Sequence, residues 1–259
     1  MANRFMSFLK EKIKLCCVTL PAILVCNIPG SYADAGGDWK FRVAPYLWVA
    51  GQEGTVVTLP GTPPVDFDAS FSDILKELDM GLMGTAEARK GRFGVFGELF
   101  FTRVSPDAKT PGAAFSKVAY DQDLWTLSAG GFYVLSQAKD HNFDAVVGVR
   151  RWDLDNELAF EDDLLPGLKV QDQEKWNDIF VGLKGRKTLN DHWFINGWGY
   201  VAVGGDSDSY WDLFAGVGYK FNAFALDVGY RHQVVDFDED GFIYDIKITG
   251  PTIGFVFDF

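Results

Sequence analysis

The chain has 259 residues, of which 15% are aromatic and 28 are glycine, a composition that favours strands and tight turns over helices. Its formal net charge of −12 argues against nucleic acid as a partner. No stretch beyond the N-terminal region contains 18 consecutive apolar residues, so no transmembrane helix is predicted. Entry into a membrane would therefore require a closed β-barrel.

Residues 1–33 have the pattern of an export signal. Four basic residues precede a mostly apolar run at 15–28, and Ser31-Tyr32-Ala33 offers small residues at the −3 and −1 positions of a cleavage site. The run of 14 residues is too short to span a bilayer comfortably, although an anchored N-terminal helix is the alternative. Cleavage would leave one domain, 34–259, with 20 basic and 35 acidic residues and a net charge of −15. It would also remove every cysteine, namely Cys16, Cys17 and Cys26.

From Lys40 onward, apolar and polar residues alternate with period two, which predicts β-strands. Short connections at 90–92, 136–142, 189–192 and 222–223 alternate with longer ones, as in a transmembrane barrel whose short turns face the periplasm. We expect an all-β fold, a transmembrane antiparallel up-and-down β-barrel of ten strands, with eight strands as the fallback if 204–224 is misassigned. The ten predicted strands are 40–58, 79–90, 93–104, 117–135, 143–158, 174–188, 193–204, 209–221, 224–236 and 242–259.

One face of these strands carries no charge. In 143–149 that face consists of Phe143, Ala145, Val147 and Val149, while Asp144 faces the other way. A soluble β-sandwich or a lipocalin-like barrel also alternates, but aromatic residues here lie on the apolar face near the short turns, as at a bilayer interface. These residues are Phe93, Tyr133, Phe143, Trp193, Phe221, Phe224 and Phe259. The interpretation is that the uncharged face meets lipid and the charged face lines the lumen.

The last strand carries Ile253, Phe255, Phe257 and the terminal Phe259 on one face, and this ending resembles the signal read by the barrel assembly machinery. Four stretches resemble a group of small, largely uncharacterised Gram-negative outer-membrane β-barrel proteins: Pro45-Tyr46-Leu47-Trp48, Arg89-Lys90-Gly91-Arg92-Phe93-Gly94, Gly216-Val217-Gly218-Tyr219-Lys220-Phe221 and Gly250-Pro251-Thr252-Ile253-Gly254. The resemblance covers most of 40–259. It implies an outer-membrane barrel architecture and no activity. We expect a monomer in the cell outer membrane, with outer-membrane lipid, lipopolysaccharide and the barrel assembly machinery as partners.

Charged residues of the inward face form a predicted lumen charge network. Both signs are present, so ion pairing is feasible, and unpaired charges in a narrow interior would be costly. The hypothesis is a salt-bridged plug that stabilises the barrel, with a narrow polar conduit or gated pore as the alternative. The network comprises Glu87, Arg89, Glu98, Arg150, Asp178, Lys184, Arg186, Asp212, Lys220, Asp227 and Arg231.

The three histidines do not predict an enzyme. His141 and His192 fall in predicted periplasmic turns, and His232 shares its face with the lipid-facing Tyr230. General-base catalysis needs a partner within hydrogen-bonding reach, so we expect no catalytic residues and no cofactor. A rim-located lipid hydrolase or protease is the third functional alternative, after a structural or surface-interaction protein and a channel.

The outer loops are acidic. Residues 236–241 resemble the first half of an EF-hand loop, but Lys247 occupies the twelfth position, where a bidentate Glu belongs. Together with Glu161, Asp162, Asp163, Asp206 and Asp208, this loop predicts a solvated acidic rim and no metal site, weak divalent-cation binding being the alternative.

The first long loop is expected to contain a helix. Ser70 followed by Asp73 resembles a capping box, and apolar residues recur at Phe71, Ile74, Leu75 and Leu78. This pattern predicts a short amphipathic helix at 70–79, which covers the barrel mouth or lies in the outer leaflet interface.

Overall fold

The computed structural model describes residues 38–57, 64–105, 107–108, 117–161 and 168–259. The predicted export signal at 1–33 lies outside this part of the chain. Strands dominate the described residues: β1 (Lys40–Trp48), β2 (Gly51–Val57), β3 (Val65–Ala69), β4 (Leu78–Lys90), β5 (Phe93–Val104), β6 (Asp107–Ala108), β7 (Lys117–Gln137), β8 (His141–Glu161), β9 (Leu168–Thr188), β10 (Trp193–Gly205), β11 (Ser209–Lys220), β12 (Ala225–Glu239) and β13 (Phe242–Asp258).

Ten of these strands close an antiparallel barrel, which confirms the predicted fold class. The order is β1, β4, β5 and then β7 to β13, and β13 pairs again with β1. The closure includes the last residue of the chain, because Phe41 and Phe259 exchange both backbone hydrogen bonds, at 3.0 and 2.8 Å. The fallback of eight strands is wrong, since 204–224 contains the whole of β11, which pairs with both β10 and β12.

The first predicted strand differs from the observed one. Residues 40–58 form two strands, β1 and β2, separated at Val49 and Ala50. The register between β1 and β4 ends at the pair Pro45–Gly84, and further along the chain β2 pairs with β13 on one side and with β3 on the other. Neither β3 nor β6 was predicted: β6 has only two residues, and β3, although its apolar and acidic residues alternate, has only five.

The predicted helix is confirmed as α1 (Phe71–Glu77). The Ser70 hydroxyl accepts a hydrogen bond from the Asp73 backbone N–H at 3.3 Å, which caps the first turn. Ala69 and Phe71 lie against Gly51 at the start of β2. None of the helices in the described residues is long and apolar enough to cross a membrane.

The long strands change polarity partway along their length. On β8 the outward residues are apolar from Phe143 to Val149 and polar from Arg151 to Glu157, whereas Trp152 and Leu154 point inward and are buried. On β9 the same change falls at Asn177, and on β13 it falls at Thr249. We call the part nearest the short turns the membrane zone and the part beyond the change the outer zone. In the membrane zone the apolar side chains therefore point out of the barrel, and in the outer zone they point into it.

The outer zone has its own hydrophobic core. Trp176 stacks on Trp152 at 5.4 Å between ring centroids, and on Phe237 at 4.5 Å. Trp152, Trp176 and Phe180 are 0% exposed. The interior of the outer zone is therefore mainly apolar and not ionic. Above the bilayer the outward face meets water, so the hydrophobic effect places apolar side chains inside.

Aromatic rings cover inward glycines on neighbouring strands. The Phe132 ring lies directly over Gly94, and the Phe194 ring lies over Gly218, so that a Cβ at either glycine would overlap the ring. This packing of aromatic residues against glycine narrows the lumen without adding charge.

Candidate functional site in the barrel interior

Four buried charges form a layer across the lumen, at the boundary between the two zones. Arg231 donates to Glu98 at 2.8 Å and to Asp212 at 2.6 Å, and Arg150 donates to Glu98 at 2.6 Å. The Tyr46 hydroxyl also donates to Glu98, at 2.7 Å. We call Glu98, Arg150, Asp212 and Arg231 the ion layer.

The ion layer is almost free of water contact, since its four side chains are between 0% and 9% exposed. Trp48 and Trp198 cover the Arg231 guanidinium, with ring centroids 4.6 and 5.5 Å from its Cζ. Two cations and two carboxylates balance each other. Buried charges of this kind tolerate burial only while each keeps its partners.

Two further ion pairs lie in the membrane zone, below the layer. Arg89 donates to Asp144 at 2.5 Å, and Lys184 is paired with Glu87. Lys184 also lies over the Phe132 ring, 3.8 Å from its centroid. These pairs bridge strands that are not neighbours in the wall, because Glu87 is on β4 and Lys184 on β9, so they tie opposite sides of the barrel together.

The charges nearest the short turns are less completely paired. Arg42 donates to Asp258 at 2.7 Å, whereas Arg186 lies 3.8 Å from the second oxygen of the same carboxylate. Lys220 donates to the Thr188 hydroxyl at 3.3 Å. Asp227 accepts a hydrogen bond from Asn196 at 2.7 Å and forms no ion pair within the described part of the chain.

A cavity of about 130 Å³ lies among these groups. Its lining includes Tyr46, Trp198 and Arg231 at one end and Arg42 and Arg186 at the other. The cavity therefore extends from the ion layer to the charges near the short turns. The side chain of Asp258, at the short-turn end, is 54% exposed. The cavity therefore faces the short-turn end, which in outer-membrane barrels is the periplasmic end.

The structure places ten of the eleven predicted network residues in the ion layer or in the membrane zone below it. The exception is Asp178, which lies beside the aromatic core. It accepts hydrogen bonds from the Trp152 indole at 2.8 Å and the Ser207 hydroxyl at 2.9 Å, and no cation pairs with it among the described residues.

Sequence reasoning missed several members of the interior. Arg42 and Tyr46 share one face of β1, so the same parity rule would have found both. Asp144 was already assigned to the inward face of its strand but was not counted in the network. Asn196 carries no charge, and nothing in the pattern distinguishes it from other inward polar residues.

Phe259 and the histidines lie outside the lumen. Phe259, the predicted assembly signal, is exposed on the outer face. His232 bonds to Thr249 at 2.5 Å and packs on Trp211, on the outer surface as well. His192 lies in the turn between β9 and β10 and stacks on Tyr219.

His141 has two partners in the turn between β7 and β8. Its ring nitrogens lie 3.2 Å from the Ser136 hydroxyl and 3.0 Å from Asp140. The hydrogen bond with His141 lowers the pKa of the Asp140 carboxyl. These three side chains resemble a catalytic relay in their order but are exposed to solvent.

The acidic outer rim is present where the structure describes it. Asp236 lies opposite Asp245 in the pairing of β12 with β13, and partial burial, followed by repulsion from Asp245 and Asp208, raises the pKa of Asp236. Asp162 and Asp163 fall outside the described residues. Within those residues, no group of three or more His, Cys, Asp or Glu side chains is arranged to hold a metal ion.

No protein-family model and no curated protein sequence matches the chain. Among solved structures, the outer membrane protease OmpT from Escherichia coli is similar with a TM-score of 0.61 and 10% identity, over 88% of this chain and 100% of that chain. The translocator domain of the autotransporter NalP from Neisseria meningitidis has a TM-score of 0.47 and 13% identity, over 86% and 90%.

At these identities the likeness concerns the fold and not the activity. The likeness to OmpT agrees with the closed ten-stranded wall. Independently of it, the outward residues of β8 in the membrane zone, from Phe143 to Val149, carry no charge. A surface of this kind is stable only against hydrocarbon. The chain is therefore an outer-membrane β-barrel.

Proposed function

We propose that the protein is a non-conducting outer-membrane barrel that anchors its outer zone at the cell surface, as a structural or surface-interaction protein without catalysis. The observation that supports this is the double closure of the lumen. Above the cavity lies the ion layer, and above the ion layer lies the core around Trp152 and Trp176, which is 0% exposed. Water-filled pores require a continuous polar path, and this core interrupts it.

The outer zone is suited to display. Strands β7, β8 and β9 are 21 residues each, which is about twice the 9–11 residues that span a bilayer. Their outer parts carry polar outward residues over a packed core, so the extension is expected to be rigid. The acidic rim favours basic or cation-bridged partners, lipopolysaccharide with bridging divalent cations among them.

A narrow conduit is the second candidate, supported by the cavity on the periplasmic side. The cavity ends at Arg231, whose guanidinium is held by two carboxylates and two tryptophans. Passage would require this layer and the aromatic core to open together. A hydrolase has weaker support, because the Ser136–His141–Asp140 arrangement is solvent-exposed, and exclusion of water is part of what such a relay needs.

Conductance separates the first two candidates. We expect purified protein inserted in planar bilayers to show no steady conductance. Insertion is verified independently by heat-modifiable gel mobility of the same preparation. Removing both closures in W152A/W176A/R231A is expected to give conductance if the barrel stays folded, which would show that the recording can detect an open lumen. Steady conductance from the wild-type barrel would contradict the proposal.

A further inference from the structure

Among the described cations of the barrel interior, Arg186 makes the fewest hydrogen bonds. Its side chain is 11% exposed, and the nearest carboxylate oxygen, on Asp258, is 3.8 Å away, beyond hydrogen-bonding distance. Within the described part of the chain it donates no hydrogen bond. A guanidinium carries five donors in a planar fork, and leaving them unmade in a buried place is costly.

The guanidinium is nevertheless held in place. Its Cζ lies 3.5 Å from the centroid of the Phe194 ring, so the plane of the group is fixed by stacking. Phe194 is fully buried and its ring lies over Gly218, which leaves it little freedom. Arg186 is therefore pre-organised toward the cavity it lines.

A second guanidinium flanks the same space. Arg42 lines the cavity and uses its Nε on Asp258, which leaves its terminal nitrogens without a hydrogen-bond partner among the described residues. Two guanidiniums thus share one carboxylate, and that carboxylate is half exposed. Arg89 and Lys184, farther in, are neutralised by Asp144 and Glu87.

One carboxylate of the cavity wall, that of Asp227, would repel a bound anion. Asp227 faces neither Arg closely enough for an ion pair, but one of its oxygens is bonded to Asn196. The other lies against β11, 3.0 Å from the point that a Cβ on Gly216 would occupy. This second oxygen, Oδ1, has no hydrogen-bond partner among the described residues, but it lies against the wall at β11 and not within ion-pairing distance of either guanidinium.

From this geometry we infer that the periplasmic cavity binds a small oxyanion, a carboxylate or phosphate group, through the guanidiniums of Arg186 and Arg42. The fork of Arg186 matches two oxygens of such a group. The volume of about 130 Å³ admits a small solute and excludes a peptide. Because the ion layer closes the cavity on its far side, the anion enters from the periplasm, and lipid headgroups outside the wall have no access.

The test is a titration of the full barrel in neutral detergent at low ionic strength, with inorganic phosphate and with acetate as separate probes. We expect a saturable rise in Tm with one or both probes, as binding to the folded state requires. In R186Q the dissociation constant is expected to rise by about tenfold or more, because a charge-assisted bidentate contact is lost. R186K keeps the positive charge but loses the planar guanidinium, so its dissociation constant is expected to lie between those of the wild type and R186Q.

Lys187 provides the matched control, because it is the next residue and is exposed on the opposite face. K187Q removes the same charge and is expected to leave the titration unchanged. Each variant is first checked for heat-modifiable mobility, so that a loss of folding is distinguished from a loss of binding. The inference would be overturned if phosphate and acetate raised the Tm of R186Q as much as that of the wild type, or if they raised the Tm of neither protein. It would also be overturned if K187Q weakened binding as much as R186Q does.

Discussion

Replacing Arg231 with methionine is expected to lower the free energy of unfolding by about 3–5 kcal/mol, because it leaves buried carboxylates with too few cations. Arg231 is bonded to both Glu98 and Asp212. In R231M, Arg150 would remain as the only cation of the ion layer, 2.6 Å from Glu98 and 3.6 Å from Asp212. Urea unfolding of the folded barrel in detergent measures the effect.

Arg151 gives the control for this substitution. It lies at the change of polarity on β8, is exposed, and bonds only to Asn177 within the described residues. R151M is therefore expected to change the unfolding free energy by no more than about 0.5 kcal/mol. A similarly small effect of R231M would mean that water reaches the ion layer and that the lumen is open.

Replacing Val147 with arginine is expected to cost about 2–4 kcal/mol, because the residue lies near the middle of the membrane zone. Val147 is 55% exposed on the outer surface, with Ala145 and Val149 on the same face. An arginine at this position would have to lie in hydrocarbon or bend toward an interface. The measurement is the unfolding free energy of V147R in lipid vesicles.

Gln173 is the matched position in the outer zone. It points outward from β9 and bonds to Asp153 at 2.9 Å. Q173R is expected to be neutral within about 0.5 kcal/mol, because its side chain meets water. Equal costs at 147 and 173, or no cost at either, would show that the membrane boundary is placed wrongly.

The strand number, the closure and the lipid-facing surface could be predicted from sequence, because period-two alternation and short turns are local features. Strand β5 has the predicted bounds, 93–104, and β9 begins six residues earlier than predicted. Its first part was missed because Lys169, Gln171 and Gln173 alternate with residues that are not consistently apolar.

The outer core could not be predicted by assigning one face to lipid throughout a strand. On β8, odd-numbered residues are apolar up to Val149, and from Trp152 onward the even-numbered residues are apolar except Asn156. Assigning the same lipid-facing parity to the whole strand combines these two patterns and hides the point where the strand leaves the bilayer. The change of parity is itself a readable signal.

The interior partners needed the structure for a different reason. Glu98 and Arg231 are 133 positions apart, and Glu87 and Lys184 are 97 apart. Alternation shows that each points inward, but only the closure of the barrel and the stagger of its strands decide which charges meet. The cavity beside Arg186 is likewise a property of packing and not of any one strand.

The central claim is that one strand surface passes from hydrocarbon to water at the change of polarity. Nitroxide labels on single cysteines test it directly, since the sequence from residue 34 onward contains no cysteine. In vesicles, the label in V147C is expected to collide with oxygen and not with a water-soluble nickel complex, and the label in Q173C is expected to do the reverse. Ready access of the nickel complex to position 147, or recovery of a chain of residues 34–259 as a water-soluble protein, would contradict the account.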